Sequence, residues 1–173
     1  ANVSGQSFYN WPIPDDIGYN ASIRIADKND SSVKDNSTNL FAIKGSMQVL
    51  APNTNVSWTN GTAENITFKT SGTYTNNIDI FYRNASGGNW IYIDSIAPGA
   101  DNVNVTYPWD PADDITTNAT IKVSTNETDN RINVNDTSNN EFRIKGKITL
   151  TKPSPNDLWR TGQQKFINWT SDG

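Results

Sequence analysis

The sequence repeats itself at an interval of about 100 residues. Residues 11–25, WPIPDDIGYNASIRI, align with residues 109–123, WDPADDITTNATIKV, at an offset of 98 positions. Residues 35–45, DNSTNLFAIKG, align with residues 136–146, DTSNNEFRIKG, at an offset of 101 positions. The three-residue difference falls in a polar stretch, where we expect a loop. A fixed period of this length is typical of a tandem array, and it matches the usual size of a seven-stranded β-sandwich.

The repeat divides the chain into one whole unit and two partial units. We predict a complete unit over residues 46–146, the C-terminal part of the preceding unit over residues 1–45, and the N-terminal strands of the following unit over residues 147–173. Two or three strands bury too little apolar area to offset their ordering entropy, so neither end is expected to close a core alone. The offset of 101 holds through these matched pairs: Pro52 and Pro153, Trp58 and Trp159, Gly61 and Gly162, Ile66 and Ile167, Phe68 and Trp169, Gly72 and Gly173.

Two explanations of the partial units stay open. The chain is a piece of a longer polypeptide, or neighbouring chains complete the partial units by strand exchange. We favour the first explanation, because the two ends together lack a counterpart of residues 73–100.

Short runs of alternating apolar and polar residues lie between Gly, Pro, Asn and Asp residues, and no segment has a convincing helical period. This pattern is typical of half-buried strands joined by turns. We therefore predict an all-β fold of tandem immunoglobulin-like antiparallel β-sandwiches of about 100 residues each. The apolar residues expected to share one parity in their strands are Ile66 and Phe68; Ile78, Ile80 and Tyr82; Ile91 and Ile93; Val103, Val105 and Tyr107; Ile121 and Val123; Phe142 and Ile144.

Several segments resemble a known surface-protein repeat. They are ITLTKPSPNDLWRTGQQKFINWTSDG at the C-terminus and, in the middle unit, IDIFYRNASGGNWIYIDSI, YPWDPADD, ATIKV and DTSNNEFRI. Together they resemble the Ser-Thr-rich repeat related to the yeast Kre9 and Knh1 cell-wall proteins. The resemblance implies an immunoglobulin-like extracellular module with a structural or adhesive role and with no catalytic residues to carry over.

Composition argues against several classes of function. The net charge is −4 and Lys and Arg do not cluster, whereas nucleic acids and anionic membranes select basic patches. The chain has no Cys and no His. It therefore has no thiolate nucleophile, no imidazole base, and no Cys or His ligand for zinc. No apolar run approaches the roughly 18 residues that span a bilayer. We expect a protein that is not an enzyme, needs no cofactor, binds no nucleic acid and does not insert this segment into a membrane.

Asn-x-Ser/Thr triplets are in excess. The sequence has 13, whereas its 25 Asn and its 34 Ser and Thr residues would produce about five by chance. A compositional bias is one explanation. We favour covalent N-glycans at most of these sites, which predicts an extracellular, cell-surface protein whose strand edges are shielded by sugar. The triplets begin at Asn2, Asn20, Asn29, Asn36, Asn55, Asn60, Asn65, Asn84, Asn104, Asn118, Asn126, Asn135 and Asn168.

Acidic residues recur after the repeated Trp. Asp113 and Asp114, with Asp15 and Asp16 at the equivalent place, are candidate calcium ligands, because tandem sandwich domains can bind calcium between them through such oxygens. A turn or a strand cap is the alternative, since Asp after Pro suits turns. A glycosidase pair is disfavoured, because the acidic pair repeats in both units at a predicted loop.

The six Trp residues also allow two interpretations. They are Trp11, Trp58, Trp90, Trp109, Trp159 and Trp169. Their recurrence at matched positions favours packing in a core or between domains over a sugar-binding platform. Trp90 has no partner in the repeat, and we expect it at a hairpin tip.

The predicted function is that of a structural repeat module in an extracellular glycosylated filament, sheath or S-layer-like coat. Such a module forms a homo-oligomer or polymer through repeat–repeat contacts. The short connections at residues 43–46 and 144–147 predict stiff coupling of neighbouring units. The alternative is an adhesin or a carbohydrate-binding accessory module of a larger surface protein.

Overall fold

The fold is all-β. A computed structural model describes residue 5 and residues 7–111, 113–127 and 129–173, and there is no helix in these ranges. The N-terminal segment contains β1 Gly18–Ala21, β2 Arg24–Ala26, β3 Lys34–Asn36 and β4 Phe41–Ile43. The middle segment contains β5 Ser46–Ala51, β6 Ser57–Thr59, β7 Glu64–Ser71, β8 Ile78–Arg83, β9 Ile91–Ile96, β10 Asn104–Trp109, β11 Thr116–Thr125, β12 Asn135–Thr137 and β13 Phe142–Lys145. The C-terminal segment contains β14 Lys147–Lys152 and β15 Asn168–Asp172.

The strands of the middle segment form two sheets. One has three strands in the order β10-β7-β5. The wider sheet runs β6-β13-β11-β8-β9, with β12 added on β11. All pairs are antiparallel except β6 and β13, which run parallel with Ile144 opposite Trp58.

The core of the middle segment lies between these two sheets. Val49, Ile66 and Phe68 from the narrow sheet meet residues such as Ile121 and Phe142 from the wide sheet, in one buried cluster. The arrangement is therefore β-sandwich-like, with one face of each sheet turned inward and the other toward solvent.

The predicted alternation is confirmed in β7, β8, β11 and β13, whose named apolar residues are all buried. It is wrong at Ile91, which is exposed, and at Val103, which is exposed and precedes β10. β9 is the edge strand of the wide sheet, and its register shifts against β8 beside Phe81. Because the facing sheet has only three strands, it does not cover the start of β9, where Ile91 lies.

Strand registers recur along the chain at the offsets found in the sequence. The pair β1–β4 matches β11–β13, including its register shift, and β2–β3 matches β11–β12. The pair β14–β15 matches β5–β7 at every partnered position, again with the same register shift. The paired residues of the first match are Gly18 and Ile43, Ala21 and Phe41, against Thr116 and Ile144, Ala119 and Phe142.

Matched positions differ sharply in burial. Val123 is 0% exposed in the middle segment, whereas its counterpart Ile25 is 73% exposed. Val49 and Phe68 are likewise buried, whereas Leu150 and Trp169 are exposed. At these positions the N-terminal and C-terminal segments expose side chains whose counterparts form the core of the middle segment, whereas Ile43 is buried and Phe41 is half-buried.

Candidate functional site

Two depressions in the described part of the chain are open to solvent. One lies beside Ile115 and Lys145, and the other lies beside Ile23 and Ile25. Within the same ranges, no three acidic side chains come together as a metal-binding group, and no helix of membrane-spanning length and hydrophobicity is found. The informative features are a junction, an acidic network, the glycosylation triplets and one sheet face.

A carboxylate links the N-terminal segment to the middle segment. Asp15 accepts hydrogen bonds from the Thr73 backbone N–H at 2.8 Å and from the Thr73 hydroxyl at 2.7 Å. These bonds, the one from the hydroxyl first, hold the pKa of Asp15 below its ordinary value. The carboxylate is therefore charged throughout the neutral range and acts as a cap on the start of the β7–β8 connection.

Tight packing surrounds this cap. Gly72 has φ +96°, and a Cβ atom there would lie 2.8 Å from Cδ1 of Ile17, so only glycine fits without a shift. The Arg131 guanidinium lies 5.2 Å from the Tyr19 ring centre and makes a second link between the two segments. Gly173 repeats the arrangement, because it has φ +111° and its nearest side chain is Ile115, the counterpart of Ile17.

The second acidic position anchors the middle segment internally. Asp114 accepts hydrogen bonds from the Tyr82 hydroxyl and from the Asn84 side-chain N–H, each at 2.9 Å. Burial, followed by this hydrogen bond, raises the pKa of Tyr82 to about 12. Asp113 is exposed and makes one long contact, 3.5 Å, with the Asn60 side chain.

The four candidate calcium ligands thus do not form one group. Asp15 and Asp114 are engaged by protein donors in different places, while Asp16 and Asp113 are exposed. The hydrogen bonds of Asp15 and Asp114 match the alternative interpretation, in which these residues cap turns or strands. Calcium binding at these residues stays a prediction.

The glycosylation triplets lie on the surface. Ten of their asparagines are exposed, Asn60 and Asn84 are half-buried, and Asn2 lies outside the described residues. Asn65 and Asn104 share the outer face of the narrow sheet, because their strand partners Pro108 and Lys69 point the same way. The exposed ten are Asn20, Asn29, Asn36, Asn55, Asn65, Asn104, Asn118, Asn126, Asn135 and Asn168.

The Trp residues divide into three groups. Trp58 and Trp109 lie in the core, with ring centres 5.9 Å apart, as predicted. Trp11, Trp159 and Trp169 occupy matched positions in the end segments and are exposed. Trp90 is not at a hairpin tip, because it comes directly before β9 and its ring lies against the outer face of the wide sheet.

The outer face of the wide sheet carries an aromatic and cationic cluster that sequence reasoning missed. We call it the outer-face cluster: Phe81, Arg83, Trp90, Tyr92 and Lys122. Lys122 Nζ lies 4.4 Å from the Phe81 ring centre and 4.7 Å from that of Trp90, and the Arg83 guanidinium lies 4.8 Å from that of Trp90. Phe81 and Tyr92 are cross-strand partners whose rings meet edge to face at 5.8 Å.

A signal for this cluster was present in the sequence. Phe81, Arg83 and Lys122 occupy the outward parity of two strands whose inward residues are mainly apolar, and the large aromatic Phe81 departs from the polar residues that are usual on a solvated sheet face. Strand pairing was needed to bring Lys122 opposite Phe81.

No protein-family model, curated protein or solved structure matches this chain.

Proposed function

We propose that this chain is part of a tandem array of immunoglobulin-like sandwiches and serves as a structural module of an extracellular glycosylated filament, sheath or coat. The observation that carries the proposal is the recurrence of strand registers at the sequence offsets of 98 and 101. A structure that builds the same pairs twice in one chain is best explained by a repeated unit. Its residues have no catalytic role in this proposal.

The junction supports a stiff array. Only Lys44 and Gly45 separate β4 from β5, and only Gly146 separates β13 from β14. The Asp15–Thr73 cap and the Ile17–Gly72 contact add further restraints between consecutive units. Short connections of this kind limit rotation between neighbours, so the reach of the array grows with the number of units.

The exposed core positions supply the contacts for extension. Ile23 and Ile25 at one end, and Leu150 and Trp169 at the other, are exposed and correspond to buried residues of the middle segment. Burial of each such side chain contributes roughly 1.5–3 kcal/mol. Completion by further units, in the same polypeptide or in a neighbouring copy, removes these side chains from water.

Solution scattering tests the stiff array. A chain extended after Gly173 by a second copy of residues 73–146, and then by a further copy of residues 46–146, completes the unit that residues 147–173 begin and adds one whole unit beyond it. We expect its maximum dimension to exceed that of the 173-residue chain by about 33 Å, the length of a ten-residue strand at roughly 3.3 Å per residue. The control carries four-residue Gly-Ser insertions after Gly45 and Gly146 and should give a broader distance distribution. Identical distributions for the two extended chains would contradict stiff coupling.

Mass spectrometry tests the glycoprotein part of the proposal. Protein isolated from its native source should lose mass on enzymatic removal of N-glycans, with an Asp appearing at each site that carried sugar. The exposed triplets should be modified more fully than Asn84, whose side-chain N–H is already donated to Asp114. A polypeptide at its bare sequence mass would rule out glycosylation and leave the array untouched.

A further inference from the structure

We propose that the outer-face cluster binds an anionic saccharide, with its sugar ring against Trp90 and Tyr92 and its acidic group between Arg83 and Lys122. This site lies wholly within the middle segment and does not depend on the array. It adds a binding function to a module otherwise described as structural.

The cations of the cluster have free donors. Arg83 donates from Nε to the Thr120 hydroxyl at 2.9 Å, and no further side-chain hydrogen bond of Arg83 is found in the described ranges. Neither Arg83 nor Lys122 forms an ion pair with a carboxylate of the described residues, whose salt bridges are Arg131–Asp129 and Lys152–Asp157. On a chain of net charge −4, two neighbouring cations without a carboxylate partner leave a local positive site.

The placement of these cations is costly without an anion. Both lie within 5 Å of the centre of the same Trp90 ring, so two like charges share one small area. Burial also lowers the pKa of Lys122, because the surrounding rings displace water from its ammonium group. Cation–π contacts offset part of this cost. A carboxylate or sulfate bound between them would offset the rest.

The aromatic residues favour a sugar over other anions. Tyr92 is 55% exposed, and Phe81 and Trp90 are half-buried on a sheet face without a deep groove. A flat C–H face of a pyranose can lie against such rings while its carboxylate reaches the adjacent cations, whereas an oligoglutamate has no ring to place there. The site has a boundary, because Asp79 lies two residues before Phe81 on the same outward parity. Polar Ser124, directly opposite Asp79, and Asn135, opposite Ser124, extend this boundary across the sheet.

Binding assays on the full chain test this proposal. The probe is a tetramer of α-1,4-linked galacturonate, and the comparator is its methyl ester, which keeps the sugar rings and removes the charge. We expect the acidic tetramer to change tryptophan fluorescence and to bind at least about tenfold more tightly than the ester, as a charge-assisted contact predicts. Equal binding of the two, or no binding of the acid, would overturn the proposal.

Variants locate the site. Lys122→Gln, Arg83→Gln and Trp90→Ala should each weaken binding of the tetramer about tenfold. Lys69→Gln is the matched control, because Lys69 is a half-buried lysine on the outward face of the other sheet, opposite Asn104. It should bind as the parent does. A loss with Lys69→Gln equal to that with Lys122→Gln, or tighter binding of octathymidylate or of an oligoglutamate, would refute a saccharide site here.

Discussion

Replacing Trp58 with alanine should lower the free energy of unfolding by about 3–5 kcal/mol, the usual cost of deleting a large aromatic side chain from a core. The Trp58 ring lies 4.7 Å from that of Phe142 and 5.9 Å from that of Trp109, and the residue is 6% exposed. It also joins the last strand of the middle segment to its first strands, because β6 pairs with β13. Denaturant titration followed by circular dichroism measures this change.

Trp159 is the matched control for this substitution. It occupies the position equivalent to Trp58 but is 43% exposed, so Trp159→Ala should cost less than about 1 kcal/mol in the 173-residue chain. In the chain extended by residues 73–146, the same substitution should become nearly as costly as Trp58→Ala. If Trp159→Ala stays harmless there, the repeated unit does not rebuild its core and the array proposal fails.

Replacing Asp114 with alanine should lower the free energy of unfolding by about 2–3 kcal/mol, since two donors lose their acceptor at once. The larger part comes from the Tyr82 hydroxyl, because Tyr82 is only 5% exposed. Asp113→Ala is the control at the neighbouring position. Because the Asp113 side chain is exposed, this substitution should change the free energy of unfolding by less than about 0.5 kcal/mol. Equal losses from the two substitutions would mean that local charge matters here, rather than the hydrogen bonds.

A double-mutant cycle assigns the energy to one contact. Tyr82→Phe removes the donor, so Asp114→Ala should cost less in that background than in the parent chain. Added calcium provides the second discriminating measurement. If millimolar calcium raises the melting temperature of the parent and of Asp113→Ala but not that of Asp114→Ala, then Asp114 is a metal ligand and the anchoring role is secondary.

Most of the fold could be predicted because it depends on periodic information. Alternation of period two placed Ile78, Ile80 and Tyr82 inward, and the structure buries all three. The repeat offsets predicted, residue by residue, that β1–β4 is equivalent to β11–β13. Such pairing is strongly specified, because a slip of one residue would turn the apolar side chains of a strand away from the core. The prediction was wrong at Ile91, whose burial depends on the number of strands in the facing sheet and not on its own segment.

The site was less predictable, because it depends on contacts between distant residues. Asp15 meets Thr73 across 58 positions, and Asp114 meets Tyr82 across 32, so a local motif identifies the carboxylates but not their donors. The sequence singled out Trp90 because it has no repeat partner. The two cationic side chains that contact its ring, Arg83 and Lys122, come from two separate strands. Only the pairing of β8 with β11 brings them beside one ring.

The parallel pair β6–β13 has a consequence for mechanical load. Arg143 N–H donates to the Val56 carbonyl and Asn60 N–H to the Lys145 carbonyl, so these bonds cross between the beginning and the end of the middle segment. Tension applied through Ser46 and Lys145 would pull the two strands along their length in opposite directions. The bonds are then sheared together instead of being opened one after another. A chain of such units would resist stretching at the point where each one would otherwise begin to unravel.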